Sequence, residues 1–501
     1  MSRRISRWVE VVLSDYVSIL FVLIAIVIAW IPRLPTALFV DEAATYWMIK
    51  DGWLHSLYRS LQIPGQSSFY AILLSGWSSV WGTGELTLRM PSILAGAGVC
   101  VSLGVFSRLR RSPSLTFASG LVVLSPTFTF ASTSARPYGL GLFLGVTSLV
   151  IAQFASERDS RALMHTSGAI AALSLYCHIT FLAVMPALLV VALQSSRGIR
   201  AKKIAYRMAL TATLCAVPVL LHHYMLDQSR ISEVAVLDEM PTAITLIWYI
   251  SSVPIVLVCL WLLSVKLCVS RAERMLRPGY AKDLVLGLVL CLSSKFLALL
   301  AAMTIDPTLL LPRYCALASV GEAIVAASLL SSIKRPIWRR SLSLACAVCL
   351  VLPWFRMSPP DTAWLSIARD TKEYIQAEKC DVFALVGFAE SRHVGLLMRE
   401  PERSFIRSPL DYYQLLPATL LPAQVESAEE LEYMRSKVFP EVDRGECHVL
   451  LTWEPQIASP ESRGPGALVA EMRRRVCVSQ VERTSGLVTM SVWRCPLPNK
   501  A

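Results

Sequence analysis

The chain has 501 residues, a mean hydropathy of +0.52 and only 17% charged residues, too apolar for a soluble enzyme. Its net charge of +12 does not mark a nucleic-acid binder, because residues 1–354 carry 30 Lys/Arg against 16 Asp/Glu while residues 355–501 carry 18 against 20. The excess lies in short loops between long apolar runs, as the positive-inside rule requires of a polytopic membrane protein.

Arg3, Arg4 and Arg7 precede an apolar run over 17–30 that has no small-residue cleavage site after it, which predicts a retained anchor. Next comes Leu38-Phe39-Val40-Asp41-Glu42-Ala43-Ala44-Thr45-Tyr46. Two adjacent carboxylates stand where the chain leaves the bilayer, and membrane-proximal acids are costly to desolvate, which makes the pair a functional-site candidate. The alternative is a solvated first turn of a helix, where Asp and Glu suit the dipole. Over 43–62, Tyr46, Trp47, Trp53, Leu54, Leu57 and Leu61 recur at helical spacing, which predicts a helix in the membrane interface within an outer loop over 33–86.

The apolar run 68–82 is short for a span, and charge decides whether it crosses. If it does not, the segments inside hold 22 Lys/Arg and those outside hold 6; if it does, every later loop inverts. The non-crossing reading predicts eleven spans: the first, then 87–107, 113–131, 137–154, 163–177, 179–194, 205–222, 242–265, 283–303, 313–331 and 338–354. An odd number leaves the C-terminus outside. There, apolar runs at 382–386 and 449–451 read as buried strands. Helical patterns at 364–375 and 429–434, and alternation over 476–494, complete a small α/β domain over 355–501.

Nine of the 13 cysteines lie in or beside spans, where Cys is a small hydrophobe. The other four are in the outer domain. Cys477 and Cys495 are equidistant from Gly486, so a hairpin centred there sets them opposite each other. Cys380 and Cys447 each open a strand, and pair if those strands are neighbours.

An ordered series of motifs runs through the membrane portion. It comprises Val40-Asp41-Glu42-Ala43 with Tyr46, Phe69-Tyr70, Trp81-Gly82 with Gly84-Glu85, and Arg89-Met90-Pro91-Ser92. Ala135-Arg136-Pro137-Tyr138, Tyr176-Cys177-His178 and Pro312-Arg313-Tyr314 follow. The series resembles the GT-C superfamily of lipid-linked-sugar glycosyltransferases, in the branch of protein O-mannosyltransferases, the lipid A aminoarabinose transferase and rhizobial galacturonosyltransferases. The resemblance covers most of residues 15–355. It implies a polytopic α-helical enzyme with juxtamembrane helices, a polyprenyl-phosphate-sugar donor, inverting transfer to a lipid, glycan or protein hydroxyl, and Asp41 as catalytic base. The family varies in its use of metal, so a divalent cation, held in part by Glu42, is left open beside a purely orienting role.

Elementary chemistry agrees. A carboxylate beside the acceptor hydroxyl takes its proton as the oxygen attacks the anomeric carbon. The departing lipid phosphate needs fixed cations and donors, and Arg136, Tyr138, His178, Arg313 and Tyr314 supply them, Arg having the planar fork that matches phosphate. Each has a structural alternative, snorkelling to headgroups for the two arginines and a helix-end role for His178. Arg89 is expected to anchor the helix start at Pro91-Ser92. Lys295 and Glu322 fall at the same depth in consecutive spans, so Lys295 either extends the phosphate site from below or pairs with Glu322. Depth favours the pair. A transporter or flippase of lipid-linked saccharides is the rival function, but few polar residues lie near mid-bilayer and no internal repeat appears.

Overall fold

A computed structural model describes residues 19–62, 67–195, 198–230, 278–304, 312–332, 343, 363–385, 405–422, 425, 427–442, 447–453, 464–485 and 488–496. They fall into two compact units. One is drawn from Met1–Leu34, Leu57–Ile231 and Ala235–Met357, the other chiefly from Pro35–Ser56 and Ser358–Ala501.

The first unit is helical. Among the described residues, five helices are long and apolar enough to cross a membrane: Glu85–Arg110, Tyr138–Arg158, Lys202–Leu221, Tyr280–Met303 and Arg313–Ser332. Each matches an expected span. The helices over Ile19–Arg33 and Ile179–Ser195 are apolar but shorter, and Arg161–Cys177 has 17 residues. The expected spans 242–265 and 338–354 lie outside the described residues. The span expected over 113–131 consists of two helices, Pro113–Val123 and Pro126–Thr133, which together are long and apolar enough to cross but are bent by 73°. Pro126 begins the second of these, and a proline ring cannot continue the helix before it. Ser68–Trp81 is a separate 14-residue helix capped by the Ser67 hydroxyl, which accepts from the Tyr70 amide.

Apolar residues at helical spacing build the interior, as with Leu142, Val146 and Leu149 of Tyr138–Arg158, all buried in one continuous core. Pro278–Thr304 and Ala316–Ser332 run so close that a Cβ on Gly321 would lie 2.5 Å from the Cys291 amide nitrogen, a crossing that only glycine permits. Arg110 pairs at 3.3 Å with Asp283, whose side chain is 1% exposed. The Ser112 and Ser114 hydroxyls also donate to that carboxylate. A buried charge of this kind is tolerated only when paired and hydrogen-bonded.

The second unit carries a five-stranded sheet in the order β2-β1-β3-β5-β4. Its strands are β1 (Asp381–Leu385), β2 (Ala418–Leu420), β3 (Cys447–Trp453), β4 (Val478–Ser485) and β5 (Val488–Arg494). β1 is parallel to β2 and β3, and β5 is antiparallel to β3 and β4. Helix Ala363–Glu378 fulfils the amphipathic pattern at 364–375. The three-residue strand β2 and helix Gly464–Arg474 left no mark in the sequence reading. Both disulfides form: Cys380–Cys447 joins the mouths of neighbouring strands with Cα atoms 4.6 Å apart, and Cys477–Cys495 closes the hairpin at 4.1 Å. Intact mass and peptide mapping of alkylated protein should find these four thiols labelled only after reduction; labelling before reduction would contradict both bridges.

The same apolar cluster that fills this unit includes Ala37, Val40 and Ala44. Helix Val40–Ile49 therefore packs with the C-terminal sheet domain.

Candidate active site

In the second unit, the acidic segment forms the first turn of Val40–Ile49. Phe39, extended at φ −79° and ψ 169°, has no side-chain acceptor to cap that helix. Glu42 reaches back instead, its Oε2 accepting from the Phe39 amide at 3.1 Å, and it is 1% exposed. This is the reciprocal half of a capping box. Of the two roles left open for Glu42, the orienting one is compatible with this contact. Asp41, one residue earlier, is less buried, and its carbonyl accepts from the Thr45 hydroxyl at 3.1 Å. Its carboxylate lies in the helix's first turn, where the dipole favours negative charge.

The same helix is held from the C-terminal domain by three consecutive residues. Tyr413 Oη accepts from the Leu38 amide at 2.9 Å, Tyr412 packs edge-on against Tyr46 at 4.9 Å, and Asp411 pairs with Lys50. Burial, with Asp411 and then Asp51 nearby, pushes the Tyr46 hydroxyl pKa up.

In the first unit, five of the expected residues converge. Tyr138 opens the helix Tyr138–Arg158, His178 ends Arg161–Cys177, and Arg313 and Tyr314 lie in the turn before Ala316–Ser332. The His178 and Tyr314 rings stack at 4.9 Å, Tyr138 lies 5.5 Å from His178 and 6.0 Å from Tyr314. Arg136 and Arg313 flank this group, their Cζ atoms 5.8 Å from the Tyr138 ring and 5.2 Å from the Tyr314 ring. His178 Nδ1 accepts from the Thr180 amide at 3.3 Å, which leaves Nε2 as the hydrogen-bearing nitrogen of a neutral ring. The arrangement is two guanidiniums, two phenols and an imidazole around one locus, a set suited to an oxyanion.

Two residues the motif series contained, without an assigned role, support Arg136. Ser92 Oγ donates to the Arg136 carbonyl at 3.0 Å and lies 3.0 Å from the Tyr70 hydroxyl. Arg89 requires a correction. Its helix begins at Glu85, so Pro91 is internal, and the guanidinium donates to the carbonyls of Arg33 and Leu34 at 3.2 and 3.3 Å. It therefore secures the exit of the first apolar helix, because the carbonyls at a helix end need donors.

Lys295 is engaged with Glu322 at 2.8 Å. For a metal, the described residues offer one grouping, Glu378 with Cys380 and Cys447, but both sulfurs are consumed in a disulfide.

No family model and no curated protein sequence matches the chain. Among solved structures, ArnT from Cupriavidus metallidurans in the apo state superposes with a TM-score of 0.56 at 13% identity, over 94% of this chain and 97% of that one. ArnT from the same organism bound to undecaprenyl phosphate superposes with a TM-score of 0.52 at 12% identity, over 95% and 97%. Identities this low speak for architecture alone, and in architecture this chain is a polytopic membrane protein of the GT-C fold.

Proposed function

We propose that this protein is an inverting glycosyltransferase of a bacterial inner membrane. It moves a sugar from a polyprenyl-phosphate donor to a hydroxyl of an envelope acceptor, whether lipid A or lipopolysaccharide, another glycan or a protein. The observation that carries the proposal is the convergence of Arg136, Tyr138, His178, Arg313 and Tyr314 in a fold shared with a protein that binds undecaprenyl phosphate. The Lys/Arg bias supports a periplasmic site, since the turns bearing Arg108 to Arg111 and Arg158 to Arg161 lie at the opposite helix ends from Tyr138 and His178.

In this reading, Asp41 takes the acceptor proton while the hydroxyl oxygen bonds to the anomeric carbon from the face opposite the phosphate. The bond to the phosphate oxygen breaks, and its electrons stay on the lipid phosphate. Arg136 and Arg313 meet that charge, and the Tyr138 and Tyr314 hydroxyls and His178 Nε2–H lie within the same group of rings. Glu42 keeps the acidic turn in place. Residues 1–354 supply the catalytic groups and the membrane portion, and 355–501 the periplasmic α/β portion, with which the segment Pro35–Ser56 bearing Asp41 is grouped.

Arg313→Ala should weaken polyprenyl-phosphate binding about 10- to 100-fold and lower turnover with it, the worth of one charge-assisted hydrogen bond. Lipid-phosphate binding by the detergent-purified variant checks this, and unchanged affinity would return Arg313 to a headgroup-anchoring role. The whole proposal is tested by incubating purified protein with a polyprenyl-phosphate sugar and an envelope extract. Sugar transfer that requires Asp41 is expected; donor movement across a bilayer without transfer would instead favour a flippase.

A further inference from the structure

The helix that begins with Asp41 in its first turn is contacted by a part of the chain some 370 residues away in sequence. Three successive residues, Asp411, Tyr412 and Tyr413, meet helix Val40–Ile49 at its C-terminal cap, its middle and its N-terminal approach. Asp411 takes Lys50, the residue that caps the helix. Tyr412 takes the face of Tyr46 at 4.9 Å. Tyr413 Oη accepts from the Leu38 amide at 2.9 Å and lies 3.5 Å from the Leu38 carbonyl, so it engages both peptide groups of one residue.

The chain enters the helix from Leu38 through a cap made on the backbone. Phe39 cannot cap the helix, and the cap comes from Glu42 folding back on the Phe39 amide. Leu38 is the residue immediately before that amide, and it is 1% exposed. Fixing both of its peptide groups fixes the entry of the backbone into the first turn, hence the direction in which Asp41 leaves it. The Lys50–Asp411 pair, with side chains 28% and 22% exposed, contributes little to stability where it stands. It adds a contact at the C-terminal end of the ten-residue helix, opposite the one Tyr413 makes at its approach.

We propose that Asp411, Tyr412 and Tyr413 are positioning residues for transfer, the outer domain serving as the mount that aims the Asp41 carboxylate at the acceptor hydroxyl. The inference rests on Asp41 being the base. A small error in the placement of a reacting group lowers rate steeply, while ground-state binding of a donor phosphate by residues of the other unit is untouched.

The test uses the full-length protein in detergent, with undecaprenyl phosphate as the binding probe and transfer measured at saturating donor. Tyr413→Phe keeps the ring and deletes the hydroxyl; Asp411→Asn keeps the shape and removes the charge. Tyr413→Phe should lower kcat about 10- to 100-fold and Asp411→Asn about 2- to 5-fold, each with undecaprenyl-phosphate affinity within twofold of wild type. Because Tyr413→Phe leaves a buried amide without its acceptor, the thermally neutral Asp411→Asn provides the second measurement. Exchanging the charges, Lys50→Asp with Asp411→Lys, should restore most of the kcat lost in Asp411→Asn. Wild-type kcat in both single variants would overturn the proposal, as would losses of kcat that track donor affinity and melting temperature together. If Asp41→Asn itself transfers normally, the assignment of the base fails and the mount falls with it; if Asp41→Asn is inactive while Tyr413→Phe and Asp411→Asn are not, the mount alone fails.

Discussion

Asp41→Asn is expected to lower sugar transfer by about 10²- to 10⁴-fold, the range that a positioned general base contributes, with donor binding nearly unchanged. The substitution preserves shape and removes the group that accepts the proton. It should not unfold the turn, because Asn keeps the shape of the side chain and the cap is made by Glu42 to the Phe39 amide. Glu42→Gln supplies the contrast. Its amide oxygen still accepts from Phe39, so the variant should keep most of its activity, whereas Glu42→Ala uncaps a buried helix start and should lose activity together with stability. Single-turnover transfer and lipid-phosphate affinity, measured on the same preparations, separate these outcomes. Near-wild-type turnover by Asp41→Asn would remove the base from the mechanism.

Lys295→Met is expected to destabilise the membrane portion by about 3–5 kcal/mol, since it strands the Glu322 carboxylate between two packed helices. The pair is 2.8 Å apart with side chains 10% and 23% exposed, and its helices touch backbone to backbone at Gly321, so neither charge can be relieved by the helices moving apart. Adding Glu322→Gln removes the uncompensated charge, and the double variant should regain much of the loss and retain transfer. Thermal unfolding of the single and double variants in one detergent reads the first effect, and turnover of the double variant reads the second. A double variant that is stable but inactive would give Lys295 a place at the donor phosphate beyond its ion pair.

Hydropathy, charge and spacing alone determined a polytopic membrane chain with an α/β C-terminal portion. The reason is that hydrocarbon admits only long apolar helices, and the Lys/Arg bias of short loops is a property of composition. The ordered motifs likewise named Arg136, Tyr138, His178, Arg313 and Tyr314 before any of them was seen to meet. The Lys295–Glu322 pair was legible for a related reason, since helical rise converts sequence position into depth.

The hairpin shows where such arithmetic ends. Ser485 pairs with Val488, a register that would set Cys477 one residue out of line with Cys495; the irregularity between Ser479 and Val481 shifts it, and Val478 then pairs with Arg494. The disulfide expected from spacing about Gly486 forms because of a bulge that spacing does not reveal. The three-residue strand β2 and the buried Arg110–Asp283 pair also depended on tertiary packing.

The tertiary structure alone decided what holds the acidic turn. Sequence put Asp41 and Glu42 side by side as two similar carboxylates. Folding made one a buried cap and left the other more open, because Phe39 has no acceptor of its own and Glu42 is the residue one turn on. Nothing in the spacing of Leu38, Tyr46 and Lys50 points to residues 411–413. Contacts across some 370 positions leave no periodic trace in a sequence, and only the packing of the C-terminal domain around Ala37, Val40 and Ala44 brings them together.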